Sequence, residues 1–314
     1  MTNRYILAVD GGASKTVFTI RTVDGRELFS ATSTSSNYQA VGVEQVQHLF
    51  IGLLRSAAAH LQDLHIDVAI FAISGVDTVQ DKKIVGEIIN ESIARSPFTI
   101  DQIIIENDVE GTLKGLAENH VSLLISGTGA ICYSYINEEV YRAGGWGHRI
   151  GDEGSGYWIG KHIAKAIFRA ADGRNKPTKL TDILLKAHRV TTTDELYNLI
   201  YSSDYTNARL ASFGSYLQEG VEMNDAVAQF IAKKAANELV LLATTVLTRA
   251  NYTNGQHTFY LNGGVLKNNP CITEQVVNQL QQAYPDLTIL LCEEKPIEAI
   301  FKRGVNEQSK KIEH

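Results

Sequence analysis

The 314-residue sequence predicts an α/β fold built from two mixed sheets that are covered by helices. Short apolar segments bounded by glycine or polar residues are typical of strands, and they alternate with segments whose apolar residues recur at helical spacing. The same order occurs in both halves of the chain: three strands joined by tight turns, then helix, strand, helix, strand and helix. Such alternation places helices on the faces of a mixed sheet, so two similar sheets are expected.

The first half begins with three predicted strands that form an antiparallel meander. Val, Ile, Thr and Phe are frequent in these segments, and Asp24-Gly25 is a hairpin dipeptide between the second strand and the third. The long segment that follows has apolar residues such as Val46 and Phe50 on one helical face. In order, the predicted elements are strands Tyr5–Asp10, Lys15–Val23 and Glu27–Ser33, helix Val43–Leu61, strand His65–Ser74, helix Asp77–Arg95, strand Thr99–Glu106 and helix Val109–Ala117.

The second half repeats the pattern, with a large helical insertion from Gly154 to about Ala250. The repeat predicts two domains, 1–118 and 119–314. As an alternative, the final helix packs back on the first domain. The predicted elements are strands Val121–Ser126, Ala130–Ile136 and Val140–Ala143, helix Asp225–Ala250 at the end of the insertion, strand Thr258–Asn262, helix Pro270–Ala283, strand Leu287–Cys292 and a helix from about Pro296.

Composition excludes several classes of protein. The net charge of −6 and the pI near 5.9 argue against general binding to nucleic acid or anionic membranes. The three cysteines, Cys132, Cys271 and Cys292, are widely spaced and form no CxxC pair, which argues against a disulfide framework or an all-cysteine zinc site. No apolar run has the roughly 18 residues of a membrane span, and the N-terminus lacks a signal-peptide pattern. We therefore expect a soluble, cytoplasmic protein. The scattered tyrosines are expected to serve packing.

A glycine turn follows the first predicted strand, in the run Asp10–Thr16. It is not a P-loop, because Ser14 precedes Lys15 where that motif requires glycine. Backbone N–H groups, hydroxyls and one cation still give the turn the character of a phosphate site, while an ordinary hairpin turn is the alternative. Asp10 is a candidate to hold Mg²⁺ through water. The candidate nucleotide-binding residues of this turn are Gly11, Gly12, Ser14, Lys15 and Thr16.

Two later turns have the same character. Gly127-Thr128-Gly129 occupies the matching position in the second half, and two such turns in a repeat indicate a phosphate clamp. Gly263-Gly264 ends a strand near the C-terminus, where glycine lets an adenine or a ribose lie against the backbone. The alternative for this last turn is a helix entry capped by Asn268 or Asn269.

Asn107-Asp108 lies at the end of an apolar strand. A carboxylate at such a strand end can accept a proton from a substrate hydroxyl during phosphoryl transfer. The alternative is that Asp108 is only the N-cap of the helix that follows.

The densest glycine cluster of the chain lies between Gly144 and Gly160 and contains seven of the 25 glycines. Trp146, His148 and Asp152 stand among these glycines, which favours a folded binding loop over a flexible spacer. His148 is expected to brace the loop rather than to take part in catalysis.

Together these turns resemble those of the sugar kinase and actin superfamily. Within it the chain is similar to the BadF/BadG/BcrA/BcrD-type ATPases and, among those, to the N-acetylglucosamine kinase branch. Asp10–Thr16 resembles the first phosphate motif, Leu123–Gly129 the second and Leu261–Asn268 the adenosine motif, while the run GGWGHRIGDEGSGYW is the most specific match. The resemblance implies a two-lobed actin-like (ribonuclease H-like) ATPase fold. It also implies ATP- and Mg²⁺-dependent phosphorylation of the 6-hydroxyl of an amino sugar, above all N-acetylglucosamine.

The resemblance also implies roles for individual residues. Asp108 matches the catalytic base. On the nucleotide side, Ser14, Thr128 and Gly264 match, with Ser212 and Asn268 as further candidates. The residues that match sugar contacts are Asn37, Gly145, Trp146, Gly147 and Asp152. A homodimer is expected from the family alone.

One departure from the mammalian-type pattern concerns the acceptor. Ala130-Ile131 stands where those kinases carry a Ser-Asn pair that contacts sugar, so glucosamine and N-acetylmuramic acid remain alternative acceptors. A different class, an ATPase activator of an iron–sulfur dehydratase, requires two convergent thiolates, which the cysteine spacing does not suggest.

Overall fold

The computed structural model describes residues 4–117, 119–203 and 205–311. It divides into two compact units, Met1–Asn119 with Glu294–His314, and His120–Glu293. The boundary predicted after residue 118 falls on Glu118, which lies outside the described residues. Within the part of the chain that is described, no helix combines the length and the apolar character needed to cross a bilayer.

The first unit contains a five-stranded mixed sheet in the order β3-β2-β1-β4-β5. β1 pairs antiparallel with β2 and parallel with β4, so the meander and the alternating segment share one sheet. Its elements are β1 Tyr5–Gly11, β2 Lys15–Thr22, β3 Glu27–Thr34, α1 Tyr38–Val41, α2 Val43–Leu61, β4 His65–Ile73, α3 Val79–Ile93, β5 Thr99–Glu106, α4 Asp108–Leu116 and, from the end of the chain, α13 Pro296–Lys310.

Helices cover both faces of this sheet, which explains why β1 is apolar at successive positions. Leu7 and Val9 pack into one core with residues of α2 and α3. Ile6 and Ala8 face the opposite way and pack with Ile300 of α13. A strand that is buried on both faces loses the alternation of apolar and polar residues, as the sequence of β1 shows.

The second unit contains a five-stranded mixed sheet in the order β10-β9-β6-β7-β8. A core that includes residues of β6, β7 and β9 continues into the helices between β8 and β9. The elements are β6 Val121–Ser126, β7 Ala130–Ile136, β8 Glu139–Gly144, α5 Gly156–Ala171, α6 Leu180–His188, α7 Thr193–Ile200, α8 Asn207–Ser212, a 3₁₀ turn Phe213–Tyr216, α9 Leu217–Glu222, α10 Ala226–Arg249, β9 His257–Asn262, α11 Gly264–Asn268, α12 Pro270–Ala283 and β10 Leu287–Leu291.

The predicted α/β class with two mixed sheets is confirmed. The strands differ from the prediction by at most one residue at an end, and several helices begin or end at other residues than predicted. The helix predicted from Asp77 begins at Val79, because Thr78 and Asp81 form a capping box. The helix predicted from Val109 begins at Asp108, because Asn107 is its N-cap. α1, which Asn37 caps, has only four residues and was not predicted.

Candidate active site

The first glycine turn joins β1 to β2 in the first unit. The N–H of Gly12 donates to the carbonyl oxygen of Lys15 at 2.9 Å and closes the turn. Ser14 and Lys15 are exposed, whereas Thr16 is fully buried. The Thr16 hydroxyl donates to the carbonyl oxygen of Thr34 at 2.7 Å. Of the two hydroxyls proposed for phosphate, only that of Ser14 lies on the surface of the turn.

Asp108 is the first residue of α4, and Asn107 is the N-cap. The Asn107 side chain accepts from the N–H of Val109 at 2.9 Å and donates to Asp77 Oδ1 at 3.2 Å. Asp108 Oδ1 accepts from the same N–H at 3.0 Å. The alternative in which Asp108 serves only as the N-cap is therefore wrong, because the neighbouring asparagine holds that position.

The Asp108 carboxyl is partly exposed and has a raised pKa. Burial is the main cause, the negative charges of Asp10 and Asp77 add to it, and together they bring the pKa of Asp108 to about 6. The pKa of Asp10 is also raised by burial, against the opposing effect of Lys15. Asp108 is thus ionised at neutral pH yet basic enough to accept a proton.

Asn37 lies just before α1 and caps it. Its Oδ1 accepts from the N–H groups of Gln39 and Ala40 at 3.0 and 3.3 Å, so its amide group is held in place. The neighbouring Ser36 is fully buried, and within the described residues its hydroxyl has no hydrogen-bond partner. The buried Ser74 hydroxyl, at the end of β4, likewise has none among those residues. The sequence patterns did not single out these two hydroxyls.

In the second unit, Asp152 joins the glycine-rich loop to the turn Gly127–Gly129. Its Oδ1 accepts from the N–H of Ala130 at 3.3 Å. A methyl group on Gly129 would lie 3.1 Å from both carboxylate oxygens, so glycine allows this approach. Asp152 itself has a left-handed backbone, with φ of 60°. Burial raises the pKa of its carboxyl.

Trp146 is the most exposed of the predicted sugar contacts. Its side chain is 68% exposed, and the Arg142 guanidinium lies 5.0 Å from the ring centroid. Arg142 Nη2 also donates to the carbonyl oxygen of Gly145 at 2.8 Å and so fixes the loop beside the indole. Gly147 accepts from the N–H of Gly151 at 2.9 Å and closes the tip of the loop. The indole is held from one side and remains accessible.

His148 braces the same loop against the helical segment. Its ring lies 5.0 Å from that of Tyr157 at the start of α5. One of its ring nitrogens lies 3.1 Å from Nδ2 of Asn207, the first residue of α8. These contacts fit a bracing role.

A pocket of about 350 Å³ in the second unit collects most of the predicted nucleotide residues of this unit. Gly129 and Gly263 are not among its lining residues, although each is next to a residue that is. The lining residues are Gly127, Thr128, Gly156, Ala208, Ala211, Ser212, Gly214, Ser215, Gly264, Val265, Asn268 and Asn269.

The first turn of α5 fixes one wall of this pocket. The N–H of Gly156 donates to the carbonyl oxygen of Gly127 at 2.7 Å, and the N–H of Tyr157 donates to that of Thr128 at 3.4 Å. Ser155 caps the helix by accepting from the N–H of Trp158 at 3.2 Å. The N–H groups of Gly156 and Tyr157 therefore hold the turn Gly127–Gly129 in place. Gly156 and Gly214 line the pocket without having been predicted, and Gly214 belongs to a 3₁₀ turn that carries no motif.

The metal proposed at Asp10 has few protein donors. Among the described residues, no group of three or more His, Cys, Asp or Glu side chains could hold a metal ion. Mg²⁺ commonly uses one or two carboxylates and keeps several waters. The negative charges of Asp10 and Asp77 raise the pKa of Asp108, and a local excess of negative charge fits a hydrated cation at Asp10.

Known proteins resemble the chain over nearly its whole length. The profile of the BadF/BadG/BcrA/BcrD ATPase family matches residues 7–290. A protein of Clostridium acetobutylicum named N-acetylmuramic acid/N-acetylglucosamine kinase is 33% identical over 291 residues, which is 91% of this chain and 94% of that protein. An N-acetyl-D-glucosamine kinase of Dictyostelium discoideum is 27% identical over 307 residues, or 92% of this chain and 94% of that protein.

Solved structures show the same fold at lower identity. A candidate N-acetylglucosamine kinase from Chromobacterium violaceum matches with a TM-score of 0.68 and 20% identity, covering 96% of this chain and 99% of that one. A ROK family glucokinase from Streptomyces griseus, in complex with glucose and AMPPNP, matches with a TM-score of 0.53 and 12% identity, covering 96% and 98%. The fold that was expected from the sugar kinase resemblance is thereby confirmed.

Proposed function

The chain belongs to the BadF/BadG/BcrA/BcrD ATPase family, and from that premise we propose that it phosphorylates the 6-hydroxyl of N-acetylglucosamine with ATP. Its class is that of an ATP-dependent sugar kinase acting on an amino sugar, like its curated relatives. The observation that carries the proposed chemistry is Asp108, a carboxylate at the start of α4, just after β5, whose pKa is about 6.

Asp108 acts as the general base. Its carboxylate accepts the proton of the 6-hydroxyl while that oxygen forms a bond to the γ-phosphorus. The bond from the γ-phosphorus to the β,γ-bridging oxygen breaks, and ADP leaves with that electron pair. A base with a pKa near 6 is mostly ionised at neutral pH and still has a useful affinity for the proton.

Each unit, taken by itself, has turn residues that suit part of a nucleotide. In the second unit, the pocket of about 350 Å³ offers the exposed Thr128 and Ser212 hydroxyls and the glycine backbone at Gly127 and Gly264. A pocket of this size falls within the range that small ligands occupy. In the first unit, Ser14 and Lys15 are exposed on the turn and suit phosphate oxygens. Mg²⁺, held by Asp10 through water, would neutralise phosphate charge when bound.

The candidate sugar contact of the first unit is Asn37. In the second unit the candidates are Trp146 and Asp152, with the backbone of Gly145 and Gly147. Asn37 and Asp152 are fixed by hydrogen bonds to backbone N–H groups, so each keeps only part of its capacity for sugar hydroxyls. The exposed indole of Trp146 offers an apolar face to a sugar ring.

N-acetylmuramic acid is the second candidate acceptor, and Ala130-Ile131 favours it. Both backbone polar groups of Ala130 are used, because its N–H donates to Asp152 and its carbonyl oxygen accepts from Gly145. The Ile131 side chain packs against Gly145. Ala130 is buried, so the apolar surface here comes from the partly exposed Ile131, which suits the methyl group of a lactyl substituent. The clostridial relative is named for both sugars.

The activator of an iron–sulfur dehydratase is disfavoured by the cysteines. Cys132 is fully buried, and burial raises the pKa of its thiol far above the usual range. Burial also raises the pKa of Cys271 to about 11. Cluster ligation requires thiolates, which both sites disfavour.

An ADP-coupled assay with a panel of sugars tests the proposal. We expect N-acetylglucosamine and N-acetylmuramic acid to release ADP with a higher kcat/KM than glucosamine or glucose. N-acetyl-6-deoxyglucosamine is the matched control for the position of transfer, because it lacks only the accepting oxygen and should release no ADP above the background ATPase rate. Failure of every amino sugar, or phosphorylation of the 6-deoxy sugar, would contradict the proposal.

Replacing Asp77 with asparagine should shift the pH dependence of the reaction. The substitution removes a negative charge that raises the pKa of Asp108, while an asparagine Oδ1 can still accept the bond from Asn107. The pKa of Asp108 should therefore fall, and the acidic limb of the kcat/KM profile should move to lower pH by up to about one unit. Asp63→Asn, at an exposed position of the same unit, is the control of equal charge. If the acidic limb stays in place or moves to higher pH, the charge of Asp77 does not raise the pKa of Asp108.

A further inference from the structure

A second and larger pocket lies in the helical segment of the second unit. Its volume is about 710 Å³, and none of its lining residues also lines the smaller pocket described above. One wall is a single face of α5, and the opposite wall comes from α7 and the residues that follow it. Nothing in the proposed phosphoryl transfer uses this space.

Five aromatic side chains line this pocket. Tyr197 and Tyr201 remain 48% and 71% exposed, and their ring centroids lie 4.4 Å apart. Phe168 lies edge-on to Tyr197 at 6.1 Å. Tyr157 and Tyr205 also line the pocket. Aromatic faces left open to solvent in a concave site are suited to covering the flat side of a ring compound.

The polar part of the wall is positively charged. Lys161 and Lys165 lie one helical turn apart on α5, and both are exposed. Neither forms an ion pair with another described residue. The pKa of the neighbouring His162 is lowered, first by burial and then by the charges of Lys234, Lys165 and Lys161. A local positive field on a chain of net charge −6 selects an anionic ligand.

We propose that this pocket binds a phosphorylated ring compound, with the ring against the tyrosines and the phosphate paired with Lys161 and Lys165. Two sources share this chemistry: a sugar phosphate, whose ring face packs on tyrosine, and an aromatic phosphate. The proposal does not depend on the identity of the acceptor sugar.

The pocket is connected to the loop of the candidate active site through one residue. Tyr157 lines the pocket, and its ring also packs against His148 in the glycine-rich loop. Its backbone N–H donates to Thr128 of the second phosphate turn. A ligand that contacts Tyr157 is therefore one side chain away from both the loop and the turn.

Calorimetric titration of the full chain tests the site, with phenyl phosphate, N-acetylglucosamine 6-phosphate and inorganic phosphate as probes. We expect at least one ring phosphate to bind at least about tenfold more tightly than inorganic phosphate, which cannot use the aromatic wall. The double substitution Lys161→Glu/Lys165→Glu should weaken that binding at least about tenfold, and Tyr201→Ser should weaken it about threefold or more. All these positions are exposed, and thermal melting checks that each variant folds.

The double substitution Lys82→Glu/Lys83→Glu, on exposed positions of the other unit, is the control of equal charge and should leave binding unchanged. Preference for phenyl phosphate or for the sugar phosphate identifies the source of the ligand, and either preference supports the site. Three results would overturn the proposal: no ring phosphate binds at millimolar concentration, inorganic phosphate binds equally well, or the lysine substitutions leave the affinity intact.

Discussion

Asp108→Asn should lower kcat by about two to four orders of magnitude, the range that general-base catalysis contributes. Asparagine keeps the size of the side chain and can still accept from the N–H of Val109, so the start of α4 is preserved. What it loses is the capacity to take the proton from the sugar hydroxyl. ADP release in the coupled assay at saturating ATP and sugar measures the effect, with Asp63→Asn as the matched control. A kcat within about fivefold of wild type would exclude Asp108 as the base.

Stability separates this loss of catalysis from a loss of fold. The pKa of Asp108 is about 6 in the folded chain against 3.8 for an unperturbed carboxyl, so folding favours the neutral form. The stability that this group contributes is full below pH 3.8 and is lost as pH rises to about 6. The neutral amide of the Asp108→Asn variant carries no such penalty. The variant should therefore melt at or above the wild-type temperature at about pH 7.5, and any gain should vanish near pH ~4.

Local patterns were sufficient for most of the fold. β5, β6, β7 and α2 were predicted with the bounds that the structure shows, because each combines a clear apolar period with flanking turn residues. One error comes from competition between adjacent polar residues. Asn107 and Asp108 can both cap a helix, and in the structure Asn107 is the N-cap. The sequence alone could not separate the two.

The candidate site was less accessible to pattern reasoning, because its walls come from distant segments. Ser212 lines the smaller pocket, but only the family resemblance suggested it. Ala211 in α8 and Gly214 in the 3₁₀ turn carry no motif at all, and their positions depend on how these two segments pack beside α5. The tyrosines were expected to serve packing, whereas Tyr197 and Tyr201 are exposed in the larger pocket. Spacing along the chain does not reveal which scattered aromatic residues converge.

The second large effect is expected at Gly263, which is next to Gly264 in the pocket that we propose for the nucleotide. Its backbone has φ of 98° and ψ of 157°, a region that is essentially restricted to glycine. A methyl group there would lie 2.2 Å from the carbonyl oxygen of Ser126. Gly263→Ala must therefore separate the ends of β6 and β9 or distort both. We expect a loss of about 2–5 kcal/mol of stability and, in any fraction that folds, a KM for ATP at least about tenfold higher.

Gly255→Ala isolates the contribution of the close approach. Gly255 also has a positive φ, of 110°, but a methyl group there would meet no atom within 4 Å. This variant should lose only the strain energy, about 1–3 kcal/mol, and keep its KM for ATP. Thermal unfolding and ATP titration of the two variants give the comparison. If both variants lose the same stability and bind ATP alike, contact with Ser126 does not position Gly264, and the assignment of that glycine to the nucleotide would have to be withdrawn.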